Sequence, residues 1–583
     1  MRHEQKLSHY INAARSLNIE KYEKKIRVAL LGSFTLNGME ETLKVKCSEI
    51  GVGCITYVAG YNQYNQEILN AQSDLYKFRP DIAFLLLDTR SVLGKIYDSP
   101  YTASEVERRE FVEKKLAEVS HIIRSYVEKS DSKMVITNLP LPSYSPYGIY
   151  ETKTVYGLRD MVIDFNTRIN SMIKTLESAY LYDFDGFVRR YGESNVFDFR
   201  QFFIGDIKVS FEYIPHLVHD WVGYIKAVLG LNKKCIVLDL DNTLWGGIVG
   251  EDGFEGIRLG DTPEGKAFVE FQKILLALQQ RGIILAINSK NNIDEAIRAI
   301  REHPNMVLRE ENFSSMQINW NDKVANMKEI AGELNIGLDS MVFFDDDPVN
   351  REYVRLSLPQ VLTVDLSDDA SEYAQNLMDM NDFHVLKITE EDVDRGKMYL
   401  EERQRKELEK STTNLEDFLK QLDIRVLIKN ANEFTIPRIS QLTLKTNQFN
   451  LTTKRYQEED IRDLVKKGDY WVGCAQIEDK FGNSGITGVF IVKKGKSEWS
   501  IDTFLLSCRI MGRKIEDGIL AHILQKAKEG GVSTVRGTFV PTKKNKPCEN
   551  FLSDFGFKKE GDDWVYRLSD PIKIPDHLRC DIE

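Results

Sequence analysis

Three short apolar runs in the middle of this chain stop abruptly on polar residues: KCIVLDLD (234–241), IILAINS (283–289) and SMVFFDDD (340–347). Each is strand-sized and apolar at nearly every position, the pattern of strands covered by helices on both faces. Between them, Pro263 to Arg281 and Ile293 to Glu302 carry helical patterns. Strand, helix, strand, helix predicts a parallel α/β sheet. Ligands of such sheets bind outside the carboxyl ends of the strands, where the acidic and hydroxyl residues of these runs fall.

The same alternation precedes this region. RVALLGSF (27–34), CITYVAG (54–60), DIAFLLLD (81–88) and KMVITNLP (133–140) read as strands, and Ser104 to Lys129 as a charged amphipathic helix. Beyond residue 385 the texture changes. Residues 386–422 place acidic and basic residues four apart, the pattern of a solvated connecting helix. The stretch 423–583 has strands at 423–429, 469–479, 484–494 and 497–507, a helix at 513–528 and a strand at 533–539, which is α+β. The expected division is an α/β domain at 1–230, a second at 231–385, a charged helical linker at 386–422 and an α+β domain at 423–583. A length of 583 residues suits about three or four domains.

Composition excludes several classes. The formal net charge of −11 is spread thinly, against the clustered Lys and Arg that sequence-independent nucleic-acid binding needs. No run reaches the roughly 18 apolar residues of a membrane helix. MRHEQKLSHY opens the chain without a secretory apolar core, so a cytoplasmic protein is expected. Seven cysteines without a CxxC pair argue for reduced thiols and against a zinc site or disulfide framework.

The chemistry concentrates in VLDLDNTLWGG (237–247). A strand ending in Asp239 and Asp241 brings two carboxylates together if both point the same way. They repel unless a hard cation, Mg²⁺, lies between them. Asp239 is then a nucleophile for phosphorus, and Asp241 a proton donor and later a base for water. Ser289 ends the next strand and can hold a phosphoryl oxygen. Lys323 supplies a positive charge for the pentacoordinate state. Asp345 and Asp346 complete the metal shell with Asp239 and Asp241.

These pieces, in this order, resemble the haloacid dehalogenase (HAD) phosphatase superfamily. LDLDNTLWGGIVGEDG (238–253), TNQFNLTTKRY (446–456), LSCRIMGRKIED (506–517) and VPTKKNKPCENFLSDFGF (540–557) together resemble the FkbH-like proteins. The resemblance implies an SGNH-like first domain, a HAD domain with a minimal cap, and a GNAT-like acyltransferase domain at the C-terminus. It implies dephosphorylation of D-1,3-bisphosphoglycerate and loading of a D-glyceryl group onto the thiol of an acyl carrier protein, in polyketide-type biosynthesis. A metabolite phosphatase with a non-catalytic C-terminal domain is the alternative.

The resemblance also implies site residues. Thr243, Asn447, Asn450, Arg509, Gly512, Arg513 and Asn545 fall among those expected to bind substrate or carrier. In the GNAT pyrophosphate loop the final small residue is here Lys514. That argues against coenzyme A and leaves Arg513 and Lys514 to a phosphopantetheine arm or an acidic carrier surface. The receiving thiol is either the carrier's own or an enzyme cysteine, for which Cys508 is the candidate and Cys548 its rival. In the first domain Ser33 stands where the SGNH nucleophile would, with Asn138 as an oxyanion donor. Neither His216 nor His219 has the aspartate three residues before it, so a degenerate domain is expected.

Overall fold

The computed structural model describes residues 4–388, 401, 405, 408, 412 and 414–582. They form two compact units, residues 1–229 and 230–583.

In the first unit β1 (Lys24–Gly32), β2 (Val52–Val58), β3 (Ile82–Leu86), β4 (Lys133–Thr137) and β5 (Ala179–Tyr182) pair in the order β2-β1-β3-β4-β5, all parallel. The apolar stretches at β1 and β3 are buried because helices cover both faces, as the long helix Glu105–Lys129 does one of them. That helix starts where Ser104 and Glu107 close a reciprocal capping box. The ends of β1 and β3 meet where the strand order reverses, the usual place for a ligand. Here the polar residues hold one another. Ser33 is buried and its Oγ accepts the Asp88 N–H at 2.9 Å. Asp88 forms a buried ion pair with Lys208 at 2.8 Å. Asn138 donates to Asp183 at 2.6 Å and accepts from the Asp185 N–H at 2.8 Å. His216 faces the Tyr191 hydroxyl at 3.4 Å.

The second unit holds two sheets. In one, β6 (Cys235–Leu238), β7 (Ile284–Ser289), β8 (Phe313–Ile318), β9 (Met341–Phe344) and β10 (Leu362–Thr363) lie parallel in the order β10-β9-β6-β7-β8. Apolar side chains alternate between two cores. Ile236 and Leu238 enter one, Cys235 and Val237 the other. β8 reads FSSMQI and gives no apolar signal, because it is an edge strand whose Ser315 and Gln317 bond the Glu333 carboxylate.

The other sheet consists of β11 (Ile424–Asn430), β12 (Phe449–Asn450), β13 (Tyr470–Asp479), β14 (Gly482–Lys494), β15 (Glu498–Leu506), β16 (Thr534–Thr538), β17 (Lys558–Glu560), β18 (Asp563–Arg567) and β19 (Leu578–Ile582). Its order is β17-β18-β16-β15-β14-β13-β11-β19. β15 and β16 are parallel but pair only over Glu498–Ile501 and Thr534–Gly537. They then part, and β12 enters the fork. Phe449 and Asn450 pair with Leu506 and Leu505, Leu451 N–H donates to Phe504 O at 3.1 Å, and Val540 N–H donates to Leu451 O at 2.8 Å.

The expected connecting helix at 386–422 lies largely outside the described residues, but those that are described correct its solvated character. Arg405 and Asp479 are each 2 % exposed and form a bidentate pair at 2.6 and 2.8 Å. Glu401 lies 3.6 Å from Arg405, and Arg513 3.8 Å from Asp479. Charge spacing alone looks like a wet helix, whereas one turn of it is clamped to the β13–β14 hairpin. Removing one partner of a buried pair strands the other charge and costs about 3–5 kcal/mol. Arg405→Ala should therefore lower the unfolding free energy of the second unit, read from denaturant titration, by that order, while the double variant Arg405→Met, Asp479→Leu loses much less.

Candidate active site

β6 ends at Leu238, and the backbone turns immediately after Asp239. Asp239 N–H still bonds Phe344 O at 2.9 Å, but Leu240 O already accepts from Thr243 and Leu244, and Asn242 sits at φ 52°. Asp239 and Asp241 are therefore not strand neighbours on one face. The Asp239 carboxylate joins Asp345 and Asp346, their ligand oxygens all within 4.8 Å of one another. The Asp241 carboxylate is held elsewhere. Trp245 Nε1 and Val249 N–H donate to its Oδ1 at 2.9 and 3.0 Å, and Asn291 Nδ2 to its Oδ2 at 2.7 Å. The placing of the Asp241 side chain in the metal shell is corrected accordingly.

Lys323 opens the helix Lys323–Leu334, behind an Asp322 cap. Its side chain is 1 % exposed, and its Nζ lies 2.8 Å from Asp239 Oδ1, 3.0 Å from Asp345 Oδ2 and 2.7 Å from Asn288 O. The two carboxylate oxygens are sealed from solvent and reach no aligned hydrogen-bond donor among the described residues. Burial works against the ammonium, but the charges of Asp239 and Asp345 outweigh it and hold Lys323 above its ordinary value. Asn288 fixes the arrangement by donating to Lys323 O at 2.9 Å. On the other side Arg351 Nη1 donates to the carbonyls of Asp345 and Asp346 at 2.8 and 2.6 Å. Ser289, the buried last residue of β7, lies beside Asn288 at the same sheet edge.

The flap after Trp245 needs its two glycines. A Cβ on Gly246 would meet Phe268 at 2.9 Å, and Gly247 lies at φ 93° with its N–H on Asn242 Oδ1 at 2.8 Å. Thr243 is fully buried, with its hydroxyl sealed from solvent. The supporting residues Trp245, Asn288, Asn291 and Arg351 had no role assigned from sequence. Asn288 and Asn291 stand within the same polar run that ends β7, which was their one signal.

Mg²⁺ fits this group. Three carboxylates face one ammonium, which leaves roughly two negative charges among oxygen donors that suit a small hard dication. Asp239, Asp345 and Asp346 would hold it.

In the C-terminal sheet the expected binding residues divide. Asn450 and Asn545 are 0 % exposed and consumed by backbone. Asn450 caps Thr453 N–H at 2.9 Å, and Asn545 donates to Asn450 O and Val540 O at 3.0 and 2.9 Å. Arg513 is 5 % exposed and turned toward Asp479, so it is not free to meet an acidic carrier. These three expectations are corrected. Asn447 is half-buried and accepts from Arg455. Arg509 is half-buried near Ser507 Oγ at 3.4 Å, and Gly512 and Lys514 are exposed at positive φ before the helix Ile515–Glu529. Cys508 is half-buried in the turn after β15. Its rival Cys548 is fully buried, pushed up to about 11 by burial, and its thiol donates to Asn545 O at 3.2 Å.

Burial first, and then the charge of Asp239, pushes Asp345 and Asp346 up to about 6 from an ordinary 3.8. A carboxyl whose value is raised by folding binds its proton more tightly in the folded chain, so ionising it costs stability. The cost is absent below the ordinary value and complete above the raised one. Thermal unfolding of metal-free protein, followed from about pH 4 to pH 7, should show the wild type losing stability relative to Asp346→Asn as the pH rises. Mg²⁺ should restore the wild type and leave the variant little changed.

Residues 27–226 match the family model described as FkbH, N-terminal domain, and residues 232–382 the model described as Acid Phosphatase. The N-terminal part of a Bacteroides fragilis protein containing a phosphatase domain, solved in complex with Mg, is 29 % identical. The match covers 66 % of this chain and all of that one, with a TM-score of 0.61. A GNAT family N-acetyltransferase from Escherichia coli, solved with CoA, is 16 % identical over 25 % of this chain and 82 % of its own, with a TM-score of 0.19. None of the curated proteins matches the chain. Among the described residues no helix is long and apolar enough to cross a membrane. Two family models thus match successive stretches of the chain, an FkbH N-terminal domain followed by an acid phosphatase domain, to which those stretches are similar.

Proposed function

We propose that this protein removes phosphate from D-1,3-bisphosphoglycerate and loads the resulting D-glyceryl group onto the thiol of an acyl carrier protein. The observation that carries the phosphatase half is the burial of Lys323 between Asp239 and Asp345, with Asp346 alongside. Bound by Asp239, Asp345 and Asp346, Mg²⁺ supplies Lewis-acid neutralisation of the phosphoryl charge.

Asp239 attacks the phosphorus of the 3-phosphate, and the bond from phosphorus to the ester oxygen breaks. Asp241 gives its proton to the leaving alkoxide. Burial raises its pKa, and the donors from Trp245, Val249 and Asn291 aim it. Asp241 then takes a proton from water, whose oxygen attacks the aspartyl phosphate and frees Asp239 and inorganic phosphate. Lys323 neutralises the equatorial oxygens, and the Ser289 hydroxyl donates to one of them.

For acyl transfer the 1-phosphate is already a leaving group. The Cys508 thiolate attacks the acyl carbon, and phosphate departs with the electron pair of the broken C–O bond. The carrier thiolate then displaces Cys508 from the thioester. Cys508 is favoured because five of the seven cysteines are buried, and Cys580, the other half-buried one, is raised by burial.

The test is the mass of a holo carrier after incubation with enzyme, Mg²⁺ and D-1,3-bisphosphoglycerate. A carrier heavier by one glyceryl group is the expected result. Phosphate release with an unmodified carrier would instead mean a metabolite phosphatase with an inert C-terminal domain. Asp239→Asn should lower hydrolysis of the 3-phosphate ester at least about a thousandfold, leaving any transferred group phosphorylated. Trp245→Phe, which removes one N–H and keeps the ring, should slow alkyl phosphates about tenfold, the size of a lost hydrogen bond to a charged group. It should slow 4-nitrophenyl phosphate far less, since that leaving group needs no proton.

A further inference from the structure

Cys508, Lys544 and Lys445 of the C-terminal sheet domain all approach the phosphatase sheet at one of its edges. The helix Lys323–Leu334 runs antiparallel to the strands. It begins beside the acidic cluster at the carboxyl edge and ends before β9 begins at the amino edge. Its C-cap is Asn335, at φ 49°, whose side-chain amide donates to Cys508 O. A few residues on, Asp339 pairs with Lys544 at 3.0 Å and accepts Lys233 Nζ on its carbonyl at 2.7 Å. Lys445 lines one narrow cleft together with Lys233, Lys234 and Ile283, which precede β6 and β7. These contacts come from three separate segments of the C-terminal domain, and all touch the amino edge.

The phosphoryl site is at the opposite edge. Twelve residues of helix separate Lys323 from the Asn335 that holds the Cys508 turn, about 18 Å at 1.5 Å per residue. The acyl carbon and the distal phosphorus of a three-carbon bisphosphate are four single bonds apart, roughly 5–6 Å. One molecule cannot sit in both places, and a group bound as a thioester on Cys508 cannot present its phosphate to Asp239.

We propose that phosphate removal and acyl transfer occur in separate binding events, the three-carbon group passing between the two centres either free or on the carrier's arm. This rests on the reading of function given above. The phosphatase centre meets its substrate from solvent at the carboxyl edge, and the C-terminal domain serves a second docking at the amino edge. Asn335 is a positioning residue for the Cys508 turn and has no part in phosphate chemistry.

The experiment is complementation in trans between full-length chains. Asp239→Asn retains Cys508, and Cys508→Ala retains Asp239. With holo carrier, Mg²⁺ and D-1,3-bisphosphoglycerate, the mixture should form glyceryl carrier within about twofold of wild type at equal concentrations of intact centres, as independent sites do. Neither variant alone should form it. A mixture slower by about tenfold or more, beside an active wild type, would mean the centres share one bound substrate, and the proposal would fall. Loading by Cys508→Ala alone would overturn the placing of the acyl site at this turn. An inactive wild type would instead remove the function itself. Asn335→Gly keeps the left-handed cap and deletes the amide. It should leave 4-nitrophenyl phosphate hydrolysis unchanged and slow carrier loading; equal loss of both would count against a purely positioning role.

Discussion

A single buried ammonium organises the phosphatase half of this chain. Asp239, Asp345 and Asp346 come from the ends of two adjacent strands, and their mutual repulsion would drive them apart without a fixed opposite charge. Lys323 supplies it from the first position of a helix, and the Asn288 carbonyl and amide fix where that helix starts. A lysine suits the place, being a compact charge that can contact three oxygens from different segments at once. Its position makes the site a meeting of three strand ends and one helix start, so its geometry is inherited from the sheet.

Around that centre the flap does a different task. Trp245 is fully buried, so its ring anchors the turn while its N–H orients Asp241. The two glycines that follow let the chain fold back closely enough for Val249 N–H to reach the same carboxylate. Two aspartates only two residues apart thus acquire separate surroundings. One sits among charges and the other among neutral donors.

Much of this was legible in the chain. Apolar runs ending in polar residues gave β6, β7 and β9, and their order gave the parallel sheet with its site at the carboxyl edge. What escaped depended on partners remote in sequence. The orientation of Asp241 follows from where β6 stops, a matter of one residue and of the left-handed Asn242. Arg513 looks like a surface cation until Asp479 and Arg405, from a hairpin and a charged connector, bury it. Asn450 and Asn545 are polar in sequence and wholly internal in the fold, because a loop that enters a sheet must satisfy its own amides. β8 was invisible because an edge strand can be polar.

That last loop has a further consequence. Where β15 and β16 diverge, the backbone groups in the gap would ordinarily be open to an incoming extended molecule that pairs with them as one more strand. Here residues 449–451 already thread the opening, bonded to Phe504 on one side and Val540 on the other. An incoming strand would find its place already taken by the host polypeptide.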